Sequence, residues 1–439
     1  MDNMVEMKSK KTKLRVFIAS FIIVSAISII IISYSKSPQR EIWKQLQLGD
    51  RYLEQLEYKQ AIAAYVAVIK IEPNNKQAWQ KMGEIFLALT EHEIEPDQQT
   101  ITFKLYTGGE DEIWIPARIN IDDVSYTVYV DSGLFSRKSR IIKKIVFQDG
   151  VSTTENASYL FGNCRVLEEL DIQGLDTSRA TNMEGMFSGC CSLQHLDVSN
   201  LDTHNVTNMR AMFGDAIISW DVKSSKYDFS EGVDEEILKT VWGDMDIHYK
   251  VTSNDYSWID IENGCYSLKE LDLSNFDTSN VTDMSWMFQG LSGVESLDLS
   301  SFDTSKVVDM SGMFDIGMTF PSDKLKSINI SSFNTSNVEK MGCMFLGCEG
   351  LESIDVSGFD TSKVTDMGHM FHNCKSVKEL DVSGFDTANV EKMDMMFAGC
   401  NELQSLDVSG FQMQKVTNME RMFEDCNKLD ERYFIQFKE

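Results

Sequence analysis

From Leu268 to Cys426 the chain repeats one arrangement of apolar and polar positions: LKELDLSNFDTSNVTDMSWMF, then LESIDVSGFDTSKVTDMGHMFHNC, then VKELDVSGFDTANVEKMDMMFAGC. Leu268, Leu271 and Leu273 form LxxLxL, whose last step alternates as a strand does and turns Asp272 away from the core. Phe276 follows, then Asp277, Thr278 and Ser279, residue types that hydrogen-bond nearby amides and so turn chains or cap helices. Val281, Met284, Met287 and Phe288 recur at three- and four-residue steps, which predicts one face of a short helix. Gly290 stands where most repeats carry Gly-Cys and lets the chain turn back toward the next strand.

The residue after the central aliphatic is Asp171, Asp197, Asp272, Asp298, Asn329, Asp355, Asp381 and Asp407, and most of the steps between them are 26 residues. One step is 75, which is a repeat plus an insertion of 49, and one is 31, a repeat plus 5. A fixed period in this range marks a solenoid, in which each unit buries its apolar edge only against its neighbours. The expected fold is therefore an α/β solenoid over 166–428, with one short parallel strand and one short helix per coil. At the usual strand spacing of about 4.8 Å, the coils would stack into a rod or shallow horseshoe roughly 45 Å long. The LxxLxL core followed by FDTSxVTxMxxMFxGC resembles the BspA family of leucine-rich repeat surface proteins, over about residues 140 to 428. The resemblance implies a solenoid displayed on a microbial cell surface and used for adhesion and protein binding, with no catalytic site. It supplies a class and not a ligand.

Upstream the pattern changes. Lys8, Lys10, Lys11, Lys13 and Arg15 form a basic tail (1–15) before an uncharged run from Val16 to Tyr34. Nineteen helical residues would span about 29 Å, close to the hydrocarbon thickness of a bilayer. The expectation is a transmembrane helix over 16–34, with the tail cytoplasmic and everything after Lys36 outside. The rival reading is a cleaved signal peptide, whose apolar region would be shorter and end at a small-x-small site. With the first cysteine at Cys164 and no LPxTG-type signal at the C-terminus, this helix is the expected attachment.

From 41 to 90 the periodicity is helical, and Leu48, Gly49, Tyr52, Tyr58, Ala61, Tyr65 and Pro73 fall at the spacings of a tetratricopeptide repeat, which this segment resembles. Leu56 and Val68 depart from the usual Gly and Ala. Such a segment suits a spacer, a pairing surface or a short peptide-binding groove. Glu91 to Gln99, polar and holding Pro96, predicts a linker. Ile101–Leu105 and Glu112–Ile115 alternate around Thr107, Gly108, Gly109 and Glu110, which predicts a hairpin. With the less regular coils that follow, it would cap the solenoid over 100–165. The insertion, Asp215 to Gly264, carries Trp220, Tyr227, Phe229, Trp242, Tyr249, Tyr256 and Trp258, an aromatic density that the repeats lack. Those rings either pack a small core of their own or anchor a partner. DERYFIQFKE abandons the pattern, so 429–439 is expected to cover the last edge.

Charge narrows the partners. The formal charge is −27, and removing residues 1–37 leaves 35 basic against 66 acidic residues, or −31. Phosphate backbones repel such a surface, so nucleic acid is excluded, while basic protein or glycoprotein partners and divalent cations are favoured. The outward Asp272, Asp298, Asp355, Asp381 and Asp407 are the candidate partner-binding residues beside the insertion's aromatics. A calcium ladder along them is conceivable, yet each Asp also has a local use in a turn and no cofactor is required. Cys164, Cys190, Cys348, Cys374, Cys400 and Cys426 hold one position in successive coils, with Cys265 there once the insertion is removed, so a column of buried thiols is expected rather than disulfides. Sixteen of the 24 methionines belong to the MxxM series; that spacing also suits copper(I), but the following Phe places it in the core. His369 and His372 are expected to be solvent-facing substitutions, and no nucleophile, P-loop or HExxH pattern supports an enzyme. The sequence thus predicts an extracellular binding protein, with self-assembly, or an enzyme with a site in 215–264, as alternatives.

Overall fold

The computed structural model describes residues 37–214, 264–317 and 324–430. The expected transmembrane helix, the insertion with its aromatics and nearly all of the C-terminal cap lie outside them. Two compact units divide after Phe86.

The first unit is helical. α1 (Pro38–Glu54) begins at Ser37, whose Oγ accepts the Arg40 amide, with proline in the first turn; the Ser-Pro pair starts the helix earlier than its apolar periodicity does. α2 (Tyr58–Ile71) runs back along α1. A Cβ on Gly49 would sit 2.5 Å from the Tyr65 ring, so glycine is what lets the two helices close over that buried tyrosine. The Tyr65 hydroxyl donates to Asp50 at 2.8 Å. Between the helices Leu56 holds φ +60°, a left-handed turn that favours glycine. Asn75 then caps α3 (Lys76–Ala88) by accepting the Ala78 amide.

The second unit opens with β1 (Thr90–Glu95) and β2 (Thr100–Tyr106), which pair antiparallel. The expected hairpin therefore lies one element earlier than its alternation suggested. Glu91 to Gln99 is not a linker but a strand and its turn, closed by the Gln98 and Gln99 amides on Glu95 and Pro96. Gly108 and Gly109 instead carry the chain across to a second sheet, because β3 (Glu112–Ile115) bonds away from β2. β4 (Arg118–Ile121) and β5 (Val124–Val130) form a hairpin on Asp122 and Asp123, both at positive φ. β6 (Lys144–Phe147), β7 (Val151–Thr153), β8 (Glu169–Asp171) and β9 (Leu175–Asp176) complete two parallel arrays, β2-β5-β7-β9 and β3-β6-β8. These are the opening coils, and β1 covers the edge that β2 would otherwise expose.

The repeats are a solenoid, but not one of strand plus helix. Among the described residues no helix follows α3. The residue before the second methionine is left-handed in every coil: Gly185, Ala211, Trp286, Gly312, Cys343, His369, Met395 and Arg421 all have φ between 49° and 61°. A helix cannot pass such a residue. The amides then divide. Those of Met284, Trp286, Phe288 and Gly290 donate to Asp309, Ser311, Met313 and Asp315 in the next coil, at 2.8–3.1 Å. Those of Met287, Gln289 and Leu291 close local turns on Met284, Trp286 and Phe288. The continuous ladder accordingly runs along the methionine flank, through single parallel bridges joining Asn156, Asn182, Asn208, Asp283, Asp309, Lys340, Asp366, Lys392 and Asn418. On the LxxLxL flank a regular strand pair past the opening coils occurs at β10 (Ser296–Asp298) with β11 (Ser327–Asn329).

The inward set is the predicted one. Met284, Met287, Val281 and Phe288 are buried, as are their counterparts through Phe397. Phe135, Phe161, Phe187, Phe213, Phe288, Phe314, Phe345, Phe371, Phe397 and Phe423 stack face to face, with centroids 5.4–6.1 Å apart. Phe213 and Phe288 continue the stack across the insertion, so the insertion leaves the register of the coils intact. Beside this spine the Cys column is buried and unpaired by disulfides, and from Cys190 onward each of its thiols donates to a Phe carbonyl one coil back, as Cys374 does to Phe345 at 3.2 Å. Cys265 donates to Phe187 in the same way, confirming its place in the column.

Phe345 sits between Phe314 and Phe371 at 5.4 and 5.6 Å. Phe345→Ala is expected to cost about 3–5 kcal/mol and to split one urea transition into two, because the break falls mid-array. A midpoint close to that of the parent chain would refute the spine.

Candidate binding surface

Each repeat reaches its outward face through FDTS. Asp277 Oδ1 accepts the Ser279 amide at 3.0 Å, and Asp272 Oδ1 accepts that of Ser274 at 2.9 Å. The same bond recurs at Asp298, Asp355, Asp381 and Asp407. These hydrogen bonds hold the carboxyls of the Asp column below the usual range, against repulsion from the next coil, as between Asp355 and Asp381. Asn329 does the same turn without the charge and also donates to Asp298 at 2.9 Å. The side chains are exposed. The sequence reading of these residues as turn formers and outward groups therefore holds together, and all five share one face.

Threonine does something the sequence reading did not foresee. Thr278 is 1% exposed; its hydroxyl donates to the Asp303 carbonyl and accepts the Asp303 amide at 2.8 Å. Thr203 repeats this with Asp277 across the insertion. The small β-branched hydroxyl stitches two coils where the outer strand pairs poorly.

At its N-terminal end the Asp column changes character. Asp171 pairs in register with Val146, and Val146 with Trp114. The neighbouring row runs from Lys144, ion-paired with Glu169, to His195, which lies 3.4 Å from Glu270. Together with Trp114, Val146, Glu168, Leu170, Asp171, Ser192 and Gln194 they line a groove of about 700 Å³. Stepping the column back from Asp171 by one 26-residue repeat lands on Ile145, one residue short of Val146, because this opening coil is a residue shorter; no motif marks Trp114.

Other chemistry falls away or moves. The methionines suited to copper(I) are core residues, except that Met419 in the last coil is partly exposed. Burial pushes the Cys164 thiol up to about 12, and Cys374 and Cys400 rise likewise, so these thiols stay protonated. Among the described residues no group of three His, Cys, Asp or Glu side chains could hold a metal ion. His369 and His372 are not the solvent-facing substitutions expected: they are half-buried and face each other, and burial with the neighbouring ring pushes His372 down to about 4. Trp220, Tyr227, Phe229, Trp242, Tyr249, Tyr256 and Trp258 lie outside the described residues. Among the described residues no helix is long and apolar enough to cross a membrane, and 16–34 lies outside them too.

The family described as "Mycoplasma protein of unknown function, DUF285" matches residues 132–237, 260–354 and 345–435, more than half of the chain. The chain belongs to the DUF285 family. No curated protein matches this DUF285 chain. Among solved structures it is similar to a leucine rich cell surface protein from Faecalibacterium prausnitzii A2-165, at 17% identity over 76% of this chain and 93% of that one, with a TM-score of 0.21. A leucine-rich repeat protein from Bacteroides ovatus ATCC 8483 shares 14% over 77% and 91%, with a TM-score of 0.28. The T. pallidum leucine rich repeat protein shares 12% over 72% and 88%, with a TM-score of 0.26.

The Asp column sets the acid response. A carboxyl held low in the folded state contributes stability above its unfolded pKa and loses it as pH falls through the folded value. Replacing Asp355, Asp381 and Asp407 together by Asn keeps the turn, as Asn329 does, but removes the charge that the serine amides favour in the folded chain. The expected outcome is a urea midpoint lowered at neutral pH that converges on the parent's in acid, and so a shallower loss of stability between about pH 5 and pH 2; an acid limb as steep as the parent's would contradict it.

Proposed function

We propose that this DUF285 chain is a cell-surface binding protein whose solenoid presents an acidic outer face to a protein or glycoprotein. The observation that carries the reading is the column of exposed carboxylates, in register from coil to coil, which begins in the groove over Trp114 and Val146. Side chains on that face do not build the Phe, Met and Cys core, so they are available to vary with the ligand. A partner of basic surface fits the charge, and association with it would be steered electrostatically and weakened by salt. The basic tail and apolar run at 1–34 serve as anchor, with the repeats outside, and the tetratricopeptide-like helices act as a spacer. The insertion's aromatics form a second contact region. In this reading the chain is not an enzyme, and calcium is not needed for folding.

Presenting the full chain to immobilised extracellular-matrix and serum proteins, with and without calcium, tests the proposal. Capture that falls with salt, and that falls further when Asp272, Asp298, Asp355, Asp381 and Asp407 become Asn while the circular dichroism stays the same, is the expected result. Retention of none of these proteins, together with a mass by light scattering that climbs with concentration, would replace it with self-assembly.

A further inference from the structure

On the methionine flank, one coil carries a histidine pair where its neighbours carry nothing comparable. His369 occupies the left-handed position, φ +58°, and the His372 amide closes a turn on its carbonyl at 3.1 Å. In the flanking coils the same two positions are Cys343 and Leu346, then Met395 and Ala398. The turn that replaces the expected helix brings both rings to one side, with their centroids 5.1 Å apart and Nδ1 only 2.9 Å from Nδ1. The other nitrogen of His369, Nε2, lies 3.3 Å from Asp394 Oδ2 on the next coil.

This carboxylate assigns the tautomer. With its proton on Nε2 facing Asp394, neutral His369 turns a lone pair at Nδ1 toward His372, whose Nδ1 proton fills the gap. A carboxylate behind one imidazole is the usual outer partner of a metal-bound histidine, orienting the ring and raising its basicity. The spacing agrees, since two metal–nitrogen bonds of about 2.05 Å meeting at a right angle put their nitrogens about 2.9 Å apart. We infer that His369 and His372 chelate a divalent transition-metal ion of the nickel or copper type through their Nδ1 atoms, with Asp394 as the positioning residue. On binding, His372 moves its proton from Nδ1 to Nε2, so both imidazoles stay neutral and no net proton is released. Two protein nitrogens leave the remaining coordination positions to water or to a donor from another molecule. Asp366, three residues before His369 in the chain, is ion-paired with Lys392 at 2.9 Å, while Asp394 supplies a negative field for the cation.

Nickel alone, titrated into the full chain by calorimetry, is the probe, with diethylpyrocarbonate labelling read by mass spectrometry as the second readout. One ion per chain is expected, together with protection of His369 and His372 from labelling. His372→Ala, which installs the residue that the next coil carries at Ala398, should abolish nickel binding and the protection of His369 without changing the circular dichroism. Asp394→Asn should weaken binding about 10- to 100-fold yet keep the protection at saturating nickel. Unaltered stoichiometry in His372→Ala would overturn the site, as would the absence of any heat or protection in the parent chain; unaltered affinity in Asp394→Asn would overturn the positioning role.

Discussion

Backbone amides in this solenoid are satisfied by the neighbouring coil, and most other features follow from that constraint. A buried amide without a partner costs as much as a lost hydrogen bond, and the methionine flank is buried. Every second amide there reaches one repeat forward, and the intervening ones fold back on a three-residue turn. That division needs a left-handed residue once per coil, which the described coils supply with Gly185 and Gly312 and with the side-chain-bearing Tyr159, Ala211, Trp286, Cys343, His369, Met395 and Arg421. Each of the latter costs about 1–2 kcal/mol in isolation, so their presence shows how firmly the inter-coil bonds dictate the backbone.

Once the backbone repeats in register, side chains must repeat as columns. Phe stacks on Phe, thiol donates to carbonyl, and Thr bonds both the amide and the carbonyl of the next coil. The insertion at 215–264 shows how local this logic is. Phe213 meets Phe288, Thr203 meets Asp277, and Cys265 meets Phe187 as though the intervening residues were absent. A chain that interacts only with its neighbours tolerates an excursion at a turn, because loop length adds entropy slowly.

The same periodicity separates what is fixed from what is free to vary. Inward columns are held by packing on both sides, whereas the outward rows and the turn positions accept Asp, Asn, Trp, Val, His or Cys without disturbing the ladder. Chemistry can therefore be placed on one coil alone, as at His369 and His372, or spread along many, as in the Asp column. The opening coils use this freedom to set Trp114 and Val146 where later coils have carboxylates.

Spacing alone determined the repeat, the inward set of Leu, Val, Met, Phe and Cys, the place of the insertion and the turn role of each Asp, because all of these depend on which side of the chain a residue faces. Tertiary structure decided the rest. Steps of three and four residues are equally satisfied by a helix and by a turn whose amides bond to the next coil, and only the presence of that coil, 26 residues away, selects the second. For the same reason the Glu91–Gln99 segment became a strand once β2 offered an edge, and two histidines that a helix would point outward came to face each other. Contacts at a distance of one full repeat are invisible to a local pattern, and in this fold they are the ones that set the backbone.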